Sequence, residues 1–351
     1  MVSLRGSGKS MSKTRVVLVG CGGISNAWLG TQAVKKQVDV VGLVDLNPEA
    51  AKAKQDRHGL KNAVIGSDLS AMLKDVQPEV VFDCTIPESH CTVTLAALKH
   101  GCHVMGEKPM SDSMPSARRM AAAAAKAGKV YAVMQNRRYL AGIRAVRTFI
   151  DSGAIGPLVA VHSDFFIGAH FGGFRDVMDH VLLLDMAIHS FDQARFLTHA
   201  DAEYVYAHEW TPKHSWYKSG PSASAIFEMQ DGLVYTYQGS WCAEGCPTAW
   251  ECSWRFIGEK GTLIWNGGDS LRCEVVKGKT GFIREIQPKI VPMRCPKYLA
   301  GGHNSAIAAF LKAVREGKEP ETNCKDNIKS LAMVHAAVQS ATSGKRVPVR
   351  I

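Results

Sequence analysis

From Arg15 to about Asn136 the chain alternates short, wholly apolar runs with longer stretches that are apolar on one side only. RVVLV, VDVVGLVD, AVIG, EVVFDCTI, CHVMGEK and KVYAVM read as strands. Helical stretches separate them, among them SHCTVTLAALKHG and SMPSARRMAAAAAKAG. Ser67 and Asp68 open one helix, while Gly59, Gly101 and Gly128 close three others, as residues that tolerate a left-handed backbone do. A strand apolar on both faces must be covered on both, and a helix between consecutive strands supplies that cover. The segment therefore predicts a doubly wound α/β fold around a parallel sheet.

Past Leu158 the period changes. Longer strands alternate apolar and polar positions and are joined by tight turns: SASAIFEM and LVYTYQGSW flank Asp231 and Gly232, and WECSWRFIG and TLIWNG flank Glu259 to Gly261. This predicts an antiparallel sheet, with helices at VLLLDMAIHSFDQARFL (181–197), HNSAIAAFLKAVREG and DNIKSLAMVHAAVQSATSG. We divide the chain into an α/β domain at 14–137 and an α+β domain at 138–351. Trp241, Trp250, Trp254 and Trp265 lie on the second sheet and give it an apolar face to hide, which predicts a homo-oligomer, a dimer or tetramer.

Composition narrows the classes. The chain has 351 residues, 46% hydrophobic and 21% charged, enough for two cores. It contains no run of about eighteen apolar residues, so no membrane span is expected. The opening MVSLRGSGKSMSK lacks the apolar stretch of a secretory signal and reads as a lead outside the fold. Ten scattered cysteines suit reduced thiols in a cytoplasm. The one cluster among them, Cys242, Cys246 and Cys252, lacks a paired CxxC, so no metal is expected. The net charge of +10 is spread out, with Arg5, Lys9, Lys13 and Arg15 at one end and Lys345, Arg346 and Arg350 at the other. No basic stripe carries interleaved aromatics, which argues against nucleic acid.

Chemistry enters where the first strand stops at Gly20, Gly22 and Gly23, followed by Ile24 and Ser25. A backbone that bare, between a strand and a helix, can turn tightly and let a pyrophosphate approach unpaired amides; a tight turn without a ligand is the other reading. Asp45 ends the second strand about twenty-five residues on, where a carboxylate accepts hydrogen bonds from ribose hydroxyls and repels a 2′-phosphate. The expected cofactor is NAD rather than NADP.

GCGGIS (20–25), TIPESH (85–90), GEKP (106–109), QNRRY (135–139) and LLLDMAIHSFD (182–192) together resemble the glucose-fructose oxidoreductase / inositol dehydrogenase / rhizopine catabolism (Gfo/Idh/MocA) family. The resemblance spans both halves of the chain. It implies a Rossmann domain followed by an α+β domain with an open, mostly antiparallel sheet, and nicotinamide in the crevice between them. It also implies that Thr85, Pro87, His90, Glu107, Lys108 and Asn136 help to hold the cofactor. Lys108 is then the catalytic lysine at the reacting hydroxyl, His189 the general base, and Asp185 its companion at the substrate. Four apart, Asp185 and His189 share one helix face, which alone is equally the pattern of a structural ion pair. The family often has a glycine triplet before this helix. Here Asp179, His180 and Val181 precede Leu182, making His180 a candidate substrate contact beside Arg138. His170, Trp210, His214, Trp216, Tyr217 and His303 are further side chains of sugar-gripping type.

The implied activity is NAD-dependent oxidation of a secondary hydroxyl on a sugar, sugar derivative or cyclitol. Two alternatives stay open on sequence. One is a glycosidase that retains NAD and oxidises the sugar transiently; the other is a dinucleotide-responsive regulator without chemistry.

Overall fold

The computed structural model describes residues 12–351. Arg5, Lys9 and most of the opening lead lie outside the described residues. The first sheet contains β1 (Thr14–Val19), β2 (Val38–Val44), β3 (Val64–Gly66), β4 (Val80–Asp83), β5 (His103–Gly106) and β6 (Tyr131–Val133). All neighbours are parallel, in the order β3-β2-β1-β4-β5-β6. The central strands are wholly buried at Val16, Val17, Leu18, Val80, Val81 and Phe82, as runs apolar on both faces require. Each such side chain withdrawn from water contributes about 1.5–3 kcal/mol. Local signals hold as well: Asp68 accepts from the Ala71 N–H, and Gly59 and Gly128 end their helices at φ 66° and 61°.

The chain leaves β1 towards β2 and returns on β1's other side as β4. Strand order reverses there, opening a crevice at the carboxyl ends of the two strands.

The second sheet contains β7 (Leu158–Phe166), β8 (Ala202–Trp210), β9 (Ser222–Met229), β10 (Val234–Ser240), β11 (Ser253–Gly258), β12 (Gly261–Trp265), β13 (Leu271–Val276), β14 (Ile286–Lys289) and β15 (Val347–Pro348). Its order is β14-β13-β12-β11-β7-β10-β9-β8-β15. Every pairing is antiparallel except β7 with β10, so the sheet is mixed and mostly antiparallel. Its inner face packs on helices Ala141–Asp151, Ile188–Thr198 and Cys324–Ser343.

Two sequence readings change. Trp241, Trp254 and Trp265 point inward and build this core, because alternation places them on the helix-covered face; of the four tryptophans only Trp250 is exposed, at 44%. The division at 137 also leaves out a return of the chain. Helix His303–Glu316 packs on the first sheet, with Phe310 6.4 Å from Phe82 between ring centres. Helix Cys324–Ser343 puts Ile328 and Leu331 into the first domain's core and Val334 and Ala337 into the second's. No helix of the described residues is long and apolar enough to cross a membrane.

Candidate active site

At the end of β1, Gly20 has φ +87°, and a Cβ there would lie 2.6 Å from the Cys84 carbonyl carbon. Glycine is required because the loop passes directly over the end of β4. At Gly22 and Gly23 an added Cβ would meet nothing within 4 Å, so both are open to the space before the loop. Ile24 leads into helix Ser25–Leu29, and the Ser25 hydroxyl donates to the Gly22 carbonyl at 2.7 Å. Asp45 is fastened to the same loop: its carboxylate accepts from the Cys21 N–H at 2.7 Å and the Asn47 N–H at 2.8 Å. A bare, open glycine backbone with a carboxylate beside it fits a dinucleotide.

Beyond β4 the buried Asp83 carboxylate accepts from the Thr85 hydroxyl at 2.5 Å and meets His90 Nδ1 at 2.9 Å. Burial opposes charge on His90, but Asp83 overrides it and raises the pKa above the ordinary histidine value. Pro87 begins the helix that carries His90. These residues fix the shape of the loop after β4.

Glu107 and Lys108 follow β5. One Glu107 oxygen accepts from Trp28 Nε1 at 2.6 Å and the other from the Lys108 N–H at 3.1 Å. His303, the first residue of the returning helix, stands 4.0 Å from Glu107 and 3.3 Å from the Asn136 amide. Glu107, Trp28, His303 and Asn136 therefore form one connected rim, tied to the end of β4 by the Glu107 N–H, which donates to the Asp83 carbonyl at 2.8 Å.

The predicted catalytic side chains also converge. The Lys108 ammonium donates to Asp185 Oδ1 and to the Asp185 carbonyl, both at 2.8 Å, and the other Asp185 oxygen accepts from Arg175 Nε at 2.5 Å. The predicted regular helix over 181–197 begins instead as a π-helix, Leu182–Ala187, and continues as the α-helix Ile188–Thr198. Such wide turns recur at functional sites, and here one carries Asp185. Burial raises the Asp185 pKa, but Lys108 and Arg175 outweigh it and hold the carboxyl below its usual range.

One turn on, His189 is 8% exposed and its Nδ1 is buried without a partner among the described residues. Burial first, then the charges of Arg137, Lys108 and His303, push its pKa well below 6.5. The imidazole is therefore neutral at neutral pH and able to accept a proton.

Two expected substrate contacts are engaged elsewhere. Arg138 is buried and bonds Asp192 at 2.6 and 2.7 Å and Asp326 at 2.7 Å, and Arg195 shares Asp326. The cause is simple: the guanidinium ties helices Ile188–Thr198 and Cys324–Ser343 together, with four of its five N–H groups taken by Asp192, Asp326 and the Glu321 carbonyl. His180, at φ 52°, bonds Glu209 of β8 at 2.5 Å, which raises its pKa. It braces the start of the π-helix and takes no part in the Lys108–Asp185 cluster. Cys242 and Cys252 are buried, whereas Cys246 is exposed. Of the other aromatic candidates, His170 stacks on Trp216 with ring centres 3.7 Å apart.

Sequence reasoning missed Arg175 and Arg137. Arg175 lies in FGGFRDV, whose glycines and flanking phenylalanines were its only signal. Arg137 directly precedes Arg138 and carries no local signal that sets it apart.

Residues 14–135 match the GFO_IDH_MocA family, described as an oxidoreductase family with an NAD-binding Rossmann fold, and residues 143–264 match the GFO/IDH/MocA C-terminal domain. The 1,5-anhydro-D-fructose reductase of Ensifer adhaerens is 26% identical over 95% of this chain and 97% of its own length. Inositol 2-dehydrogenase of Pseudomonas fluorescens SBW25 is 26% identical over 89% of each chain. In fold, the chain superposes with a TM-score of 0.81 on an oxidoreductase from Agrobacterium radiobacter in complex with NAD+, L-tartaric acid and magnesium. That protein is 23% identical, over 96% of this chain and 99% of its own.

Proposed function

The chain belongs to the GFO/IDH/MocA oxidoreductase family, and from that premise we propose that it oxidises a secondary hydroxyl of a sugar, sugar derivative or cyclitol, with His189 as general base. The observation that carries this reading is the meeting of Lys108 with Asp185 across the two domains, one helical turn from a neutral, buried His189. The names of the relatives, a reductase of an anhydro sugar and an inositol dehydrogenase, support the substrate class.

NAD, held along the glycine loop, Asp45 and the Glu107 rim, supplies the hydride acceptor when bound. The substrate hydroxyl gives its proton to His189, while its carbon loses a hydride and becomes a carbonyl. Lys108 donates a hydrogen bond to the same oxygen and stabilises the negative charge that develops there. Asp185 aims Lys108 and stays ionised because two cations hold it. Burial of His189 disfavours the imidazolium and so keeps the imidazole in its neutral form.

The outer face of the second sheet exposes Tyr206 and Ile226, paired across β8 and β9, which supports a homo-oligomer formed through that face. Ten free cysteines, eight of them buried, suit a reducing cytoplasm. A screen of sugars, inositols and glycosides with NAD, followed by NADH absorbance, tests the activity. Stoichiometric NADH with at least one polyol is the expected result; release of an aglycone without net NADH overturns it.

A further inference from the structure

The site's cations outnumber the carboxylates in contact with them. Lys108 and Arg175 share a single carboxylate, Asp185. Among the described residues Arg137 touches none: its guanidinium donates to the Trp250 carbonyl and, at 3.5 Å, to Met186 Sδ, the residue next to Asp185, while Glu251 acts on it only from beyond contact distance. A buried guanidinium with no carboxylate in contact is costly, and burial outweighs the Glu251 charge and pushes the Arg137 pKa down. A ligand carboxylate in contact would complete that charge.

Arg175 is arranged for the same purpose. Only its Nε bonds Asp185, and among the described residues its two terminal nitrogens have no acceptor. Its guanidinium carbon lies 4.9 and 4.6 Å from the ring centres of Phe171 and Phe174, within cation–π reach of both, which restrains the fork. The two arginines bond consecutive residues of one turn, Arg175 at Asp185 and Arg137 at Met186. Phe171, under Arg175, lies 6.2 Å from the Trp250 ring, and Trp250 carries the carbonyl that Arg137 holds. Lys108 meets Asp185 beside Arg175, and the charges of Arg137 and Lys108 both act on His189.

We propose that the substrate is a sugar acid, a uronate or aldonate, whose carboxylate is bound by Arg175 and Arg137 while its hydroxyl faces Lys108 and His189; this rests on the oxidoreductase reading above. A planar carboxylate matches the two parallel N–H groups of a guanidinium, and it gives Arg137 the anion the protein withholds. A neutral polyol leaves that charge unpaired in a buried site, and sites built on polar pairing reject analogues that break it. Arg175 is thus a specificity residue as well as a brace for Asp185.

The test compares the NAD-linked kcat/KM of glucuronate, galacturonate and gluconate with that of glucose, galactose, myo-inositol and glucose 6-phosphate. The best acid should exceed its neutral counterpart by at least about 100-fold. Arg175→Gln should shrink that acid-to-neutral ratio at least about tenfold, mainly through KM, whereas a purely structural role for Arg175 lowers both substrates in proportion. Equal rates for acid and neutral sugar, or a preference for the phosphate, overturns the proposal and leaves the oxidoreductase reading standing. Binding supplies a readout that needs no turnover: calorimetric titration of each acid and its neutral counterpart into the protein saturated with NADH. Acid binding that exceeds neutral binding and is lost in Arg175→Gln supports the proposal even if no substrate is oxidised, an outcome that would instead count against the oxidation reading. Absence of acid binding to the wild-type NADH complex overturns it. Arg137→Met, checked for folding by circular dichroism, should show the same selective loss.

Discussion

The Lys108 ammonium, from the loop after the parallel sheet, and the Asp185 carboxylate, from a π-helical turn of the other domain, meet at 2.8 Å. Neither side chain reaches the other unless both domains are folded and docked. Lys108→Met should therefore lower turnover by about 10²- to 10³-fold, the usual cost of losing one donor to a developing oxyanion. Affinity for NADH, measured by fluorescence, should change little, because the glycine loop and Asp45 are untouched. A variant that retains near-normal turnover removes Lys108 from the chemistry.

His189→Asn keeps a polar side chain of similar reach but removes the proton acceptor. Turnover should drop about 10²- to 10⁴-fold with NADH affinity preserved. Steady-state kinetics and fluorescence titration on the same preparation separate the two effects.

The pH dependence follows from the direction of the His189 shift. Alcohol oxidation needs the neutral imidazole, so the rate rises with pH through the histidine pKa. That pKa lies well below 6.5, which puts the rising limb on the acid side, with the plateau reached before neutrality. The same depression affects stability: as pH falls below 6.5 the unfolded chain takes up a proton that the folded protein refuses, so His189 contributes to loss of stability on acidification. A limb centred above 6.5 assigns the titration to another group, and in His189→Asn the acid limb should vanish or shift.

Asp45 joins cofactor choice to loop geometry, because its carboxylate holds the Cys21 and Asn47 amides. The wild type should prefer NAD to NADP. Asp45→Ala should weaken NAD binding and narrow the preference by removing the charge that repels a 2′-phosphate. Dissociation constants for both cofactors, measured on both proteins, decide it; a wild-type preference for NADP overturns the role given to Asp45.

Arg138→Met probes scaffold rather than substrate. It strands the buried Asp192 carboxylate, and removing one partner of a buried ion pair costs about 3–5 kcal/mol. Thermal or urea unfolding should show that loss. An unchanged unfolding curve with a raised substrate KM would return Arg138 to the binding site.

Much of this protein is written locally. The apolar runs of β1 and β4, the glycines that end helices, the bare turn at Gly20 and the alternation of the later strands are short-range patterns, and each forms the element expected of it. The meeting of Lys108 with Asp185 has a related origin: their neighbours in GEKP and in the DMAIH helix restrict where they can stand.

Other features depend on distant parts of the chain. Arg137 and Arg138 are adjacent and chemically identical in sequence, yet one meets two carboxylates from helices more than fifty residues away and the other meets none. Periodicity marks which residues alternate but not which face is covered, so Trp241, Trp254 and Trp265 turned inward against expectation while Trp250 stayed exposed. The wide turn at Asp185, the return of helix His303–Glu316 to the first sheet and the pairing of Arg175 with Asp185 were likewise decided by packing. Partner choice for a charged side chain is a matter of which buried groups lie within a few ångströms, and that is set by tertiary structure alone.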